Sequence, residues 1–248
     1  EADSSFPNGV PNPMIKENRI STSNAVMKNK ADMGIAWDGD FDRCFFFDET
    51  GSFIGGEYVL SLLATSFLDK NPGSNIIHDP RVIWNVQDIV TRKGGKAIQS
   101  KTGHAFIKQA MRQTQAIYGG EMSAHHYFKD FAYCDSGMVP WLLIMELLST
   151  TGMPLSKLVK EQFEAFPSSG ENNFTVENAD AAIETVLQKY KPDALSIDET
   201  DGVSLAFDSW RFNLRKSNNE PLVRLNIEAR GNAVDINQKL EDIKSLIT

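Results

Sequence analysis

The chain has 248 residues and a formal net charge of −8 at pH 7, with 41% apolar and 23% charged residues. Its 15 Phe and 4 Trp provide large apolar surfaces to bury, which excludes a disordered chain, and no apolar run is long enough to span a membrane. The excess of acidic residues argues against a nucleic-acid-binding protein. The presence of only two cysteines and the lack of a signal peptide at the start predict a cytoplasmic protein. The chain length predicts roughly two or three domains.

The beginning of the chain is predicted to be an extended connector over about the first thirty residues. The segment 6–19 contains three prolines and shows no periodic apolar pattern. Two short apolar strands are predicted next, at 33–37 and 44–49. A helix is predicted over 57–70, because its apolar residues recur at helical spacing and an Asn-Pro-Gly sequence follows it.

The middle of the chain alternates between strand and helix patterns. Strands are predicted within 74–79, 96–103 and 116–123, and helices within 82–95, 104–114 and 139–152. This order predicts a doubly wound sheet of parallel strands in a mixed α/β domain, in which ligands bind at the carboxyl ends of the strands. The loops at 101–104 and 120–126 both follow strands, so we expect them at such a site.

The last part of the chain has a different order. The segment 167–173 is rich in small polar residues and is predicted to be a linker. A helix over 180–191, strands within 203–208, 210–216 and 222–230, and a final helix ending near Ile247 are typical of a smaller α+β domain with an antiparallel sheet. The predicted domain boundaries are therefore 1–52, 53–167 and 168–248.

Three alternating carboxylates, Asp38, Asp40 and Asp42, lie between the first two predicted strands. A tight loop can aim such oxygens at one hard cation, although a solvated acidic turn is an ordinary alternative. A calcium loop of EF-hand type is disfavoured, because Arg43 stands where that loop needs Gly and the flanks are strands. Arg43 instead favours a magnesium site for phosphoryl chemistry, in which a phosphate is neutralised as well.

Three further loops carry polar groups. The segment 119–126 combines two glycines with a carboxylate, a hydroxyl and two imidazoles, which suits a polyhydroxylated ligand; a paired-His zinc site and an ordinary polar loop are the alternatives. The segment 215–221 suits an anion such as phosphate, or is simply a hairpin turn. The segment 101–104 is a weaker candidate that could be only the start of a helix.

In their order along the chain, these loops resemble the functional loops of the α-D-phosphohexomutase family, with a likeness that runs from about Phe6 to the end. Within the family, the stretch 119–137 is most similar to the bacterial phosphomannomutases of GDP-mannose synthesis. The resemblance implies a metal-binding domain ending near 52, a sugar-binding domain over 53–167 and a phosphate-binding domain over 168–248. Two departures are small: Ala124 replaces a Gly of the family pattern, and Asn219 replaces a Thr.

The resemblance also implies a role for each matching residue. The implied metal ligands are Asp38, Asp40 and Asp42, and the implied catalytic residues are Arg43, His104 and His125. The implied sugar-binding residues are Lys101, Gly120, Glu121, Ser123 and His125, and the implied phosphate-binding residues are Arg215, Ser217, Asn218 and Asn219. Arg81 is a candidate for a further basic residue that the family carries early in its third domain.

The implied reaction interconverts mannose 1-phosphate and mannose 6-phosphate through a phosphoserine, with Mg²⁺ as cofactor and a hexose 1,6-bisphosphate as intermediate and activator. The partners are thus small hexose phosphates, not nucleic acid or membrane. The family's serine loop, of TASHNP type, does not occur in these residues, so we expect a fragment that starts within the second domain and is inactive alone. Glucose phosphates, a non-catalytic sugar-phosphate or calcium-binding module and a DxD glycosyltransferase fragment remain alternatives.

Overall fold

The computed structural model describes residues 5–7, 9–217 and 220–247. The connector prediction is wrong for part of the N-terminal segment, since a 3₁₀ turn at Lys16–Arg19 leads into α1 (Ile20–Asn29). This helix has few strong helix formers, and tertiary contacts hold it: Val26 is buried against Gly34, and the Ser23 hydroxyl donates to the Gly51 carbonyl over 2.7 Å.

The first sheet contains three antiparallel strands: β1 (Gly34–Trp37), β2 (Cys44–Phe47) and β3 (Phe53–Ile54). Trp37 pairs with Cys44 at the end of the β1–β2 ladder, so residues 38–43, which we call the acidic loop, form a tight connection between two paired strands. All four residues of β2 are buried, and this anchors one end of the loop.

The central unit is the mixed, doubly wound α/β domain that the sequence predicts. Its elements are α2 (Gly56–Lys70), β4 (Asn75–His78), α3 (Trp84–Arg92), β5 (Lys96–Gln99), α4 (His104–Thr114), β6 (Tyr118–Gly120), β7 (His126–Phe128), β8 (Cys134–Asp135), α5 (Val139–Thr151) and α6 (Leu155–Ala165). The strand order is β5-β4-β6-β7-β8, with β5, β4 and β6 parallel and the last two antiparallel. The predicted parallel sheet thus ends in two antiparallel strands, and these place the loop after β6 beside the acidic loop.

Helices cover both faces of this sheet. On β4, Ile76 joins a core that includes residues of α2, α3, α5 and α6, while its neighbour Ile77 packs with Ile107 and Met111 of α4. Alternate residues of one strand therefore serve opposite cores, as the period of a strand requires. Among the residues that the structure describes, no single helix is long and apolar enough to cross a membrane. The helices α5 and α6 together have the length and apolar composition of a membrane span, but a bend of 102° separates them.

The C-terminal unit contains β9 (Ser168–Thr175), α7 (Ala179–Tyr190), β10 (Ser196–Asp198), β11 (Val203–Ala206), β12 (Trp210–Lys216), β13 (Leu222–Ala229) and α8 (Ile236–Ile247). The sheet is antiparallel in the order β10-β11-β12-β13-β9, which confirms the predicted α+β pattern. The predicted linker at 167–173 is wrong: most of it is β9, an edge strand whose polar composition hides a regular pairing with β13.

The two faces of this sheet have opposite chemistry. Residues such as Phe212 and Leu225 form an apolar core with α7 and α8. The opposite face carries three cross-strand pairs of polar residues on β12 and β13, which are Arg211 with Glu228, Asn213 with Asn226, and Arg215 with Arg224. The first two pairs are buried, because this face lies against the central domain.

Candidate functional site

The acidic loop is organised by Arg43. Its backbone N–H donates to Asp38 Oδ1 over 3.1 Å and its side-chain Nε donates to Asp38 Oδ2 over 2.5 Å. Burial acts to raise the pKa of Asp38, but the hydrogen bonds and charge of Arg43 outweigh it and hold this pKa below its usual range. Phe41 takes a left-handed conformation with φ of 63°, which turns the chain so that alternate carboxylates converge.

The three carboxylates fit a hard divalent cation. One oxygen from each of Asp38, Asp40 and Asp42 lies within 4.8 Å of the others, and carboxylate oxygens are the donors that Mg²⁺ prefers. Asp42 Oδ1 is buried, and within the described part of the chain it has no hydrogen-bond partner. Burial and the charges of Asp38 and Asp40 raise the pKa of Asp42, a penalty that a bound cation would remove. The flanks are strands, so an EF-hand is excluded.

The acidic loop is fixed directly to the loop after β6. Arg43 forms an isolated antiparallel bridge with His125, and the Cys44 N–H donates to the Ala124 carbonyl over 3.3 Å. The Trp37 indole donates to the Gly137 carbonyl over 2.8 Å. Two loops from different domains are thereby held as one surface, as their predicted common role requires.

In the loop after β6, Glu121 is buried and engaged on both oxygens. Oε1 accepts from the Gly103 N–H over 2.9 Å, and Oε2 accepts from the Tyr127 hydroxyl over 2.6 Å. The Gly103 contact ties the 101–104 segment to this loop, and it leaves Lys101 and His104 exposed beside it. Glu121 thus joins two of the predicted loops, and Gly120 precedes it at the buried end of β6.

Ser123 and His125 lie next to Glu121 at the partly exposed surface. The distance from Ser123 Oγ to His125 Nδ1 is 3.1 Å, and His125 Nε2 lies 3.4 Å from Asp42 Oδ2. Between them, Ala124 has a φ of 70°, a conformation that Gly adopts more easily. The methyl group of Ala124 therefore adds backbone strain at this position.

Arg81 lies in the site, but it is buried rather than presented to solvent, with 3% of its side chain exposed. It donates to Asp79 Oδ2 over 2.7 Å and to Ser123 Oγ over 3.2 Å. Although burial acts to raise the pKa of Asp79, the charge and hydrogen bonds of Arg81 lower it below its usual range. Asp79 was not predicted from the sequence, where its signal is its position directly after β4 at the carboxyl edge of the sheet.

The predicted phosphate-binding side is built on the polar face of the C-terminal sheet. Arg215 NH2 donates to Glu171 Oε2 over 3.0 Å, and the same carboxylate lies 3.4 Å from Arg224 NH1 and 3.5 Å from Arg81 NH1. Ser217 closes the β12–β13 connection, donating its N–H to the Leu222 carbonyl. Asn218 and Asn219 lie outside the described residues.

Arg224 and Glu171 were not predicted from the sequence. Strand alternation could have found Arg224, which sits directly opposite Arg215 in the β12–β13 ladder and so shares its face. Glu171 lies in the segment predicted to be a linker, which hid it. Arg224 adds a second cation beside Arg215 on the polar face of the sheet, and Glu171 is the carboxylate between them.

Sequence models of the phosphoglucomutase/phosphomannomutase family match nearly the whole chain. The alpha/beta/alpha domain II matches residues 1–51, the alpha/beta/alpha domain III matches 55–166 and the C-terminal domain matches 171–245. The chain belongs to this family.

Individual relatives agree with that assignment. A curated phosphomannomutase from Escherichia coli is 58% identical over 247 residues, which cover 100% of this chain and 54% of the relative. The crystal structure of a phosphoglucomutase/phosphomannomutase family protein from Burkholderia thailandensis has a TM-score of 0.85 and 30% identity, covering 100% of this chain and 53% of that one. An Aspergillus fumigatus N-acetylphosphoglucosamine mutase, solved with GlcNAc-6P and magnesium, shares the fold at 14% identity and a TM-score of 0.59, over 86% of this chain and 47% of that one. The chain spans about half the length of the curated relatives it matches.

Proposed function

We propose that this chain is the metal-, sugar- and phosphate-binding part of a phosphomannomutase that interconverts mannose 1-phosphate and mannose 6-phosphate. The observation that carries the proposal is the joining of three loops into one surface. The bridge between Arg43 and His125 joins the acidic loop to the loop after β6 (residues 121–125), which we call the sugar loop. Arg81 lies within 3.6 Å of both Glu121 and Glu171. The 58% identity to a curated phosphomannomutase supports the choice of sugar.

In this proposal the acidic loop handles the reacting phosphate. Asp38, Asp40 and Asp42 would hold Mg²⁺, which would supply positive charge near the phosphoryl group in transfer. Arg43, fixed by its contact with Asp38, faces the same region and would stabilise the transferring oxygens. The phosphoryl donor of the family, a serine loop of TASHNP type, does not occur in the 248 residues, so we predict that they bind ligand but do not turn over by themselves.

The sugar would lie against the loop after β6. Ser123 and His125 are partly exposed there and can exchange hydrogen bonds with hydroxyls, while Glu121 keeps the 101–104 segment in place. His104 and His125 are the candidates for moving a proton to or from a sugar oxygen, a task for which imidazole is suited near neutral pH.

The phosphate that does not react would bind at Arg215, Ser217, Asn218 and Asn219, and Arg224 lies close enough to contribute. Binding this remote phosphate would orient the reacting end of the sugar. The proposal includes a hexose 1,6-bisphosphate as activator. It also includes a cytoplasmic location, and the free thiols of Cys44 and Cys134 support this location.

Titration calorimetry tests the proposal on the 248-residue chain. We expect it to bind mannose 1-phosphate, and Arg215→Met to weaken that binding at least about tenfold, the effect of one charged hydrogen bond. Lys216→Met is the matched control, because this adjacent cation points to the opposite face and pairs with Asp180 over 2.8 Å. Equal losses in both variants, or no heat from the unmutated chain, would overturn the proposal, and glucose 1-phosphate measures the preference between epimers.

A further inference from the structure

We propose that Arg211 and Glu228, a buried ion pair on the C-terminal sheet, act as positioning residues for the sugar loop of the neighbouring domain. The inference rests on the function proposed above and extends it to two residues whose side-chain hydrogen bonds, within the described part of the chain, go to each other and to the segment between β4 and α3. The pair reaches that loop through the backbone segment between β4 and α3.

The ion pair binds the backbone of the segment between β4 and α3 directly. Arg211 and Glu228 face each other across β12 and β13, joined by a 2.6 Å hydrogen bond from Arg211 NH1 to Glu228 Oε1. Arg211 also donates from NH1 to the Arg81 carbonyl and from NH2 to the Pro80 carbonyl, each over 3.0 Å. One guanidinium thus holds two consecutive carbonyls.

Glu228 holds the other side of the same segment. Its Oε1 accepts from the Ile83 N–H over 2.7 Å and its Oε2 accepts from the Trp84 N–H over 2.9 Å. These are N–H groups at the start of α3, which have no partner within the helix, and a carboxylate there also meets the favourable end of the helix dipole. Two side chains of one domain thereby fix four backbone groups of another, and we call these four residues, Pro80, Arg81, Ile83 and Trp84, the clamped segment.

The clamped segment is connected to the sugar loop by hydrogen bonds of Asp79 and Arg81. Asp79 lies immediately before it, and its Oδ2 accepts the N–H of Met122 over 2.8 Å. Met122 stands between Glu121 and Ser123, the two residues proposed to organise and bind the sugar. Arg81, inside the clamped segment, also donates to the Ser123 hydroxyl. A shift of the segment would therefore move both an anchor and a side-chain partner of the sugar loop.

The burial of the ion pair indicates that it fixes the position of the clamped segment, and does not merely hold the two domains together. Arg211 is 2% exposed and Glu228 is 1% exposed, so both charges were removed from water to be placed here. A buried ion pair contributes little net stability compared with apolar residues of similar size, whereas its directional hydrogen bonds specify one geometry. The main effect of this ion pair is therefore to fix the geometry of the clamped segment.

The experiment replaces both charges at once, with Arg211→Met and Glu228→Met, so that no unpaired charge stays buried. The matched control is Arg92→Met with Glu161→Met, which removes an exposed Arg–Glu contact of 2.8 Å at the other end of α3. Affinities for mannose 1-phosphate and for inorganic phosphate are measured by calorimetry, and exchange of the Met122 amide is measured by NMR. Inorganic phosphate tests the Arg215 side alone, and the sugar phosphate tests both sides.

We expect the Arg211/Glu228 double variant to bind inorganic phosphate as before, to lose about tenfold in preference for mannose 1-phosphate, and to exchange the Met122 amide faster. The control should change none of these. Should the double variant fail to fold, Arg211→Lys keeps the charge but cannot span both carbonyls, and it should show a smaller loss of the same kind.

A folded double variant with unchanged sugar preference and unchanged Met122 exchange would overturn the inference. If the unmutated chain itself showed no preference for mannose 1-phosphate over phosphate, the proposed function would fail. The positioning role would then be decided by the Met122 amide alone, so the two failures are distinguishable.

Discussion

His126 should make the chain lose stability as the pH falls below neutral. This side chain is 0% exposed, with Nδ1 lying 2.7 Å from the Tyr118 hydroxyl, while Nε2 has no hydrogen-bond partner within the described residues. Burial, with a smaller contribution from the charge of His125, lowers the pKa of His126 from 6.5 to about 3. The folded protein therefore keeps this imidazole neutral over a range in which the unfolded chain binds a proton.

The sign and size follow from these two values. Above pH 6.5 both states are neutral and the full stability is present, whereas between 6.5 and about 3 only the unfolded state gains the proton, so stability falls as the pH is lowered. Between pH 7 and pH 5 the loss through His126 alone is about 2 kcal/mol. This is a large part of the stability of an ordinary domain.

Urea unfolding at pH 7, 6 and 5, followed by tryptophan fluorescence, measures the effect. His126→Gln removes the titrating group and retains an acceptor for Tyr118, so its stability should fall by about 2 kcal/mol less than that of the unmutated chain over this range. His78, whose pKa burial also lowers, titrates equally in both and cancels. His104→Gln, at an exposed histidine, is the control and should follow the unmutated chain. An unmutated chain and a His126→Gln variant with the same pH dependence would refute the reasoning.

Three further predictions concern the site. Asp42→Asn should raise the melting temperature of the metal-free chain, because it relieves repulsion in the acidic loop, and should abolish any stabilisation by MgCl₂; a thermal shift series with and without Mg²⁺ measures both. Gly56→Ala should cost about 1–3 kcal/mol in urea unfolding, because its Cβ would clash with the Met122 carbonyl oxygen. Gly39→Ala should change little, because among the described residues, apart from its chain neighbours, the nearest atom to its Cβ would be in Val10 at 3.4 Å. A coupled mutase assay on the 248-residue chain should detect no turnover, and activity near that of a complete enzyme would contradict the assignment of the phosphoryl donor to residues outside it.

The sequence predicted the helices and strands in which apolar residues recur at regular spacing. The 57–70 helix pattern and the strands around Ile76 and Phe212 were found because each buries a regular set of apolar residues. The helix α1 was missed because its sequence favours no helix, and contacts with Gly34 and Gly51 stabilise it.

For the site, the sequence predicted the loops but not their connections. The acidic triad is visible because its three ligands are local, and the structure places their oxygens together. The sequence did not predict three acidic residues of the site and its support, which are Asp79, Glu171 and Glu228. Each of them binds a partner that is distant in sequence, and no local pattern indicates such a contact. Strand β9 is the clearest example of a failed prediction. Polar residues that face a neighbouring domain have the same sequence pattern as polar residues that face water, so this strand was predicted to be a linker.

The polar inner face of the C-terminal sheet has a consequence for how this unit separates from its neighbour. If it were pulled away, it would expose charged and amide groups such as Arg211 and Asn226, and its apolar core with α7 and α8 would stay intact. Water can take over the hydrogen bonds of these polar groups. We therefore expect residues 168–247 to keep their fold when expressed alone, and a well-dispersed NMR spectrum would show it.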